Sequence, residues 1–102
     1  MTKEGEFRSF WAEVITRILQ KRMPGKEIRN SLEADPEGAR VEFYLAENGD
    51  LSRLCSLDCN SRGGRFTLEM TSLLQKHGSS AAAELQIGFG LLSRCSILLL
   101  SR

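Results

Sequence analysis

The chain is short of the features that most quickly assign a function. No stretch approaches the roughly 18 apolar residues that cross a bilayer. The opening residues, MTKEGEFRSF, lack the apolar run of a secretory leader. These absences predict a cytoplasmic protein without a membrane span, or a periplasmic one if a leader or anchor was removed. Three cysteines is an odd count, which suits a reducing compartment better than a disulfide framework. Neither charge is in excess: Lys and Arg total 14, Asp and Glu 13, and the net charge is +1. A protein that lives by phosphate contacts usually carries a large basic excess, so the total argues against nucleic acid.

What is present is ordinary for a folded domain. Its 102 residues bound one domain, 1–102, long enough for a single core. Hydrophobic residues make up 41% and charged residues 26%, which argues against disorder.

Residues 1–5 read as a polar lead. Phe7, Phe10, Trp11, Val14, Ile15, Ile18 and Leu19 then recur at the i, i+3, i+4, i+7 spacing of one helix face. Arg8, Glu13, Arg17, Gln20 and Lys21 fall on the other. The spacing predicts a helix over 6–22, ended by Pro24-Gly25. Residues 23–38 hold both prolines and read as a connector with one short helical turn at 27–32. Asp35-Pro36 and Gly38 mark a turn.

Residues 41–54, VEFYLAENGDLSRL, carry the clearest signal. Val41, Phe43 and Leu45 point one way; Arg40, Glu42 and Tyr44 point the other. Asn48-Gly49 between two such runs predicts a hairpin, because both turn residues need positive φ. On the return, Leu54 breaks the alternation of Leu51, Cys55 and Leu57, which predicts a bulge.

Residues 60–64 read as a loop. Phe66, Met70, Leu73, Leu74 and His77 recur at helical spacing, which predicts a helix from Arg65 or Thr67, with Gly78 as a left-handed cap. Residues 79–83 read as a small-residue link. Leu85, Ile87, Phe89 and Leu91 alternate with polar or small residues and predict a strand. Cys95–Leu100 continues it or, after a turn near Ser93-Arg94, forms a second strand. The expected fold is α+β: a two-layer sandwich, antiparallel sheet with helices packed on one face, in the order α-β-β-α-β(-β).

Candidate chemistry is thin. Cys55, Cys59, Cys95 and His77 could supply four zinc ligands, but they sit singly on separate elements, whereas structural zinc favours tight pairs. Cys55 and Cys95 read instead as small buried hydrophobes. A Cys–His nucleophile has no local signature, and His77 suits the last turn of a helix. Asp50 and Asp58 flank the second strand as turn residues. Arg62-Gly63-Gly64-Arg65 and Gly88-Phe89-Gly90 match no phosphate-binding fingerprint and read as a turn and a bulge or kink. No cofactor, metal or catalytic residue is expected.

Two surfaces remain. Arg17, Lys21, Arg22, Lys26 and Arg29 form a basic stretch over 17–29 that could face RNA or an acidic partner; with a neutral total it reads better as a solvated face. The last residues, CSILLLSR, read as an apolar strand that is either central or an exposed edge open to strand addition. A partner protein or peptide, or a second copy, would then meet Leu98 and Leu100 and the exposed side of the hairpin at Glu42, Tyr44 and Arg53.

Two family resemblances point the same way. Val41–Leu45, Asn48-Gly49, Leu51–Leu57, Ser61-Arg62-Gly63, Leu68–Leu74 and Leu85–Leu91 resemble the strand, turn, strand, loop, helix and last strand of TonB/TolA C-terminal domains. That resemblance implies a noncatalytic domain that adds a strand to a partner's peptide. The leading helix, central hairpin, second helix and final apolar hairpin also resemble type III secretion chaperones, small cytoplasmic dimers that hold an unfolded segment. A third likeness, to small α-β-β-β-α subunits of the signal recognition particle Alu domain, would imply RNA binding through 17–29.

Overall fold

The computed structural model describes residues 3–60 and 65–101, with the backbone alone at 4 and 60. Its elements are α1 (Lys3–Arg22), β1 (Glu27–Asn30), β2 (Arg40–Glu47), β3 (Asp50–Asn60), β4 (Arg65–Met70), α2 (Ser72–His77), α3 (Ser79–Gly90) and β5 (Cys95–Leu99). Helices cover one face of a five-stranded sheet in the order β1-β2-β3-β4-β5, giving the expected two-layer α+β sandwich. The element order is α-β-β-β-β-α-α-β. The sheet is mixed rather than antiparallel: β1 to β4 form an antiparallel meander, and β5 joins β4 in parallel after the α2–α3 crossover. Parallel neighbours need such a long connection, which is what residues 71–94 supply.

The hairpin forms as its alternation requires. Val41, Phe43 and Leu45 are buried, and Asn48 and Gly49 adopt φ of 53° and 81°. Phe43 pairs with Cys55 while Tyr44 pairs with Arg53, so Leu54 is the extra residue of a bulge. Ile28 anchors β1 against Leu45, and the Ser31 hydroxyl accepts from the Glu42 amide at 2.8 Å. The connector over 23–38 therefore contains an edge strand where a helical turn was expected. Pairing with β2 supplies partners that a single helical turn could not.

Other expectations are corrected. The helix predicted from Arg65 or Thr67 is β4 followed by the six-residue α2. Phe66, Leu68 and Met70 are buried at period two, so sheet burial outweighs the helical spacing. The link over 79–83 and the strand over 85–91 are one helix, α3. This is also where the TonB/TolA-like alignment set its last strand. Alanines at 81–83 have the highest helix propensity, and the core takes Ala81, Ala82, Leu85 and Phe89, leaving Ile87 68% exposed. Gly88-Phe89-Gly90 lies in the last turn of α3 and is no strand bulge. Gly78 caps α2, but at φ −131° rather than left-handed. Space there is tight: a Cβ would lie 2.9 Å from Leu74 Cδ1 and 3.0 Å from Met23 Sδ, so those side-chain ends would have to shift.

The lead over 1–5 is helical from Lys3, and α1 is rotated from the face its apolar residues suggest. Arg8, Ala12, Ile15 and Leu19 enter the core, whereas Phe10 is 57% exposed. Trp11 holds the helix layer together from the flank, with ring centroids 5.0 Å from Phe89 and 6.1 Å from Phe66. The predicted loop over 61–64, with its Arg-Gly-Gly run, lies outside the described residues.

Candidate functional site

Alternation decides what the uncovered sheet face carries. Val41, Phe43, Cys55, Leu57, Phe66, Leu68 and Met70 point to the helices. Their neighbours therefore point away. Glu42, Ser56, Glu69 and Leu98 stand in register across β2, β3, β4 and β5, and Arg29, Tyr44 and Arg53 form the adjacent row. Leu100 follows Leu98 on the same side. The structure thus brings Glu42, Tyr44, Arg53, Leu98 and Leu100 to one face. Arg53 arrives there because the Leu54 bulge resets the alternation of β3.

The middle of this face is a connected polar field. Glu42 accepts from the Tyr44 hydroxyl at 3.1 Å and from Arg53 Nη1 at 3.2 Å. Burial, then the bond to Glu42, push the Tyr44 phenol above its ordinary value, so it stays a donor. Arg40 pairs with Glu69, reaches Ser56 Oγ at 3.1 Å and lies 4.0 Å from Asp58. Ser56 is only 1% exposed because Arg40 and Glu69 close over it. Arg40, Ser56 and Glu69 were missed in sequence; the alternation of β2 signalled Arg40, but its partners lie on strands paired only in the fold.

The margin along β5 is different in kind. Leu98 is 46% exposed on the open face and Leu99 48% exposed on the helix side. The Phe66 amide donates to the Arg94 carbonyl and the Leu100 amide to the Met70 carbonyl, both at 2.9 Å. Even-numbered residues therefore face β4. By the alternation of a parallel ladder, Ile97 and Leu99 turn their amide and carbonyl groups to the outer edge. Nothing among the described residues pairs with that edge. Arg53, Thr71, Ser72, Leu99, Leu100 and Ser101 line an open depression at its end. Leu99 was the residue missed on this margin, since exposure of both faces of one strand follows only from its edge position.

The remaining candidates do not converge on this face. Cys59 and Cys95 lie on either side of Phe66 in the sheet register, and Cys55 pairs with Met70. His77 is exposed at the end of α2. Among the described residues no three His, Cys, Asp or Glu side chains gather as a metal-holding group. Burial raises all three thiols, Cys55 to about 12, which is opposite to what a nucleophile needs.

Every cation of the basic stretch has a carboxylate. Arg17 meets Glu13 at 2.6 Å, Lys26 meets Glu47 at 3.0 Å and Arg29 meets Glu27 at 2.6 Å. Lys21 and Arg22 both hold Glu84 of α3, at 3.2 and 2.7 Å. No described helix is long and apolar enough to cross a membrane.

No protein-family model matches the chain, and neither a curated protein nor a solved structure matches it.

Proposed function

We propose that this protein is a noncatalytic protein-binding domain that takes an extended segment at the outer edge of β5. The observation that carries this reading is the unpaired edge itself, with Leu98 and Leu99 about half exposed on its two faces. Backbone groups of Ile97 and Leu99 supply affinity through a new ladder, and side chains on either face supply selectivity. On the open face the segment meets Leu98 and Leu100, with Arg53, Glu42 and Tyr44 farther in.

The other edge is built to refuse such a partner. β1 has four residues and presents Glu27 and Arg29, which blunt it in the way edge strands are commonly protected. The difference between the edges favours β5 as the acceptor. An RNA-binding role finds no support in the basic stretch, whose five cations are each engaged by carboxylates. A catalytic role finds none in the raised thiols or the exposed His77.

Amide hydrogen exchange tests the reading. A synthetic eight-residue peptide of alternating apolar and polar residues is added at increasing concentration. Protection is expected at Ile97 and Leu99 and little elsewhere. Fast exchange at both amides that no peptide concentration slows would remove the edge from consideration.

A further inference from the structure

The occupant of this edge can be named by its chemistry. From Ser79 to Ser101 the only charged residues are Glu84 and Arg94. Glu84 is held by Lys21 and Arg22 on the α1 side, away from β5. β5 has no charge at all, and Gly90 of α3 lies beside Ile97, within 3.8 Å of where its Cβ would be. The α3 residues that share a stripe with Gly90 at helical spacing are Ser79, Ala83 and Gln86, all exposed and none charged. Across a twofold axis the same patch meets itself, and β5 is itself an uncharged, largely apolar strand, so a second copy offers this edge a segment that matches it in charge and polarity. Within β5 itself a charged side chain of a partner strand would find no opposite charge.

Resting on the reading of β5 as a strand acceptor, we infer that the segment it takes is β5 of a second copy. The two strands pair antiparallel about Leu98 and close two five-stranded sheets into one of ten. The outward backbone groups fit this register. Ile97 and Leu99 carry the outward groups, so Ile97 of one copy exchanges both hydrogen bonds with Leu99 of the other, and the reverse. Centring on Ile97 instead would require the Cys95 amide, which already donates to the Leu92 carbonyl at 3.1 Å. About Leu98, the two Leu98 side chains face each other on the open face, and Ile97 packs against Leu99 on the helix side. Helices of both copies then lie on the same side, with the small stripe of α3 flanking the seam. The two open faces become continuous, so Glu42, Tyr44 and Arg53 of each copy share one platform.

Sedimentation velocity on the wild-type chain, Leu99→Pro and Leu98→Cys across a concentration series tests this. Leu99→Pro removes an outward amide and leaves the β4 ladder intact, as proline at a free edge does. The wild type is expected at twice the 11.4 kDa chain mass. Leu99→Pro is expected at the single-chain mass with unchanged circular dichroism. Leu98→Cys is expected to oxidise to a cross-linked dimer, because directly opposed residues of a non-hydrogen-bonded pair lie about 4.5 Å apart, within disulfide reach. Ile97→Cys, which faces Leu99, is expected not to cross-link.

A dimer that survives Leu99→Pro, with no Leu98→Cys cross-link, would overturn the inference and point to another surface, such as exposed Phe10, Ile87 and Leu91 on the helix layer. If Leu99→Pro fails to fold, the cross-linking pattern alone decides. A wild-type monomer at all concentrations would also overturn it. In that case fluorescence polarisation with a labelled peptide of residues 93–101 separates the two ideas: binding leaves the acceptor reading standing, and no binding removes both.

Discussion

Tyr44 faces Arg53 across the β2–β3 ladder, although Phe43, the residue before it, faces Cys55. The skipped residue, Leu54, is fully buried, and so is Cys55 beside it. One bulge thus places two consecutive side chains in the interior and returns Arg53 to the open face next to Glu42. The residue that breaks the period also completes the polar field.

Leu54→Ala should therefore cost about 2–5 kcal/mol, the range for truncating a buried leucine. Urea unfolding measures it. Deleting Leu54 removes the bulge and leaves Arg53 next to Cys55 in plain alternation, so the Tyr44–Arg53 pairing is kept while the buried leucine and its carbonyl are lost. The cost should therefore be at least that of Leu54→Ala, with a cooperative transition retained.

Thr71 ties this bulge to the helix layer. Its amide donates to the Leu54 carbonyl at 3.0 Å, and its hydroxyl lies 2.8 Å from the same carbonyl. The hydroxyl also caps α2 by accepting from the Leu74 amide at 3.4 Å. Thr71→Val should lose about 1–2 kcal/mol through the missing cap and sheet contact. Thr71→Ser should retain most of it, by the same urea titration.

Glu84 clasps α3 to α1. The hydrogen bond from Arg22, then that from Lys21, holds its carboxyl below the ordinary 4.5. A depressed folded value means the stabilisation is present above pH 4.5 and is lost as pH falls through the native value. Glu84→Gln should lower Tm at pH 7, and the difference from wild type should vanish toward pH 3. High salt at pH 7 should shrink it as well. A gap independent of pH would show that the carboxylate charge is not what stabilises.

Cys55 behaves in the opposite sense. Burial pushes its thiol from 9.0 to about 12, with Arg53 pulling it slightly back. The unfolded chain ionises this thiol first, so its contribution is intact below pH 9 and is lost as pH rises toward 12. The Tm advantage of wild type over Cys55→Ala should hold up to about pH 9 and narrow from there to pH 10.5. In native protein, iodoacetamide should modify Cys95, half-buried on the edge strand, and leave Cys55 untouched until unfolding.

Local sequence announced the parts of the fold held by local physics. The helix over 6–22, the Asn48-Gly49 turn and the bulge at Leu54 needed only period, positive φ and an interrupted alternation. The misread segments are those where two periods fit equally well. Phe66, Met70, Leu73 and Leu74 satisfy a helix, yet Phe66, Leu68 and Met70 also satisfy a strand. Leu85, Ile87, Phe89 and Leu91 satisfy a strand, but only Leu85 and Phe89 are buried.

The same division runs through the site. Glu42 and Tyr44 are two residues apart on one strand, so the pleat alone puts them on one face. That Arg53, Leu98 and Leu100 join them depends on a register reset at Leu54 and on β5 returning parallel to β4 from 24 residues away. By itself, then, the sequence determined the helix α1, the hairpin and the uncharged apolar run over 95–100. Only the tertiary structure decided that this run is an edge strand, because the pairing of distant strands, unlike a turn or a helix face, is written in no single stretch of residues.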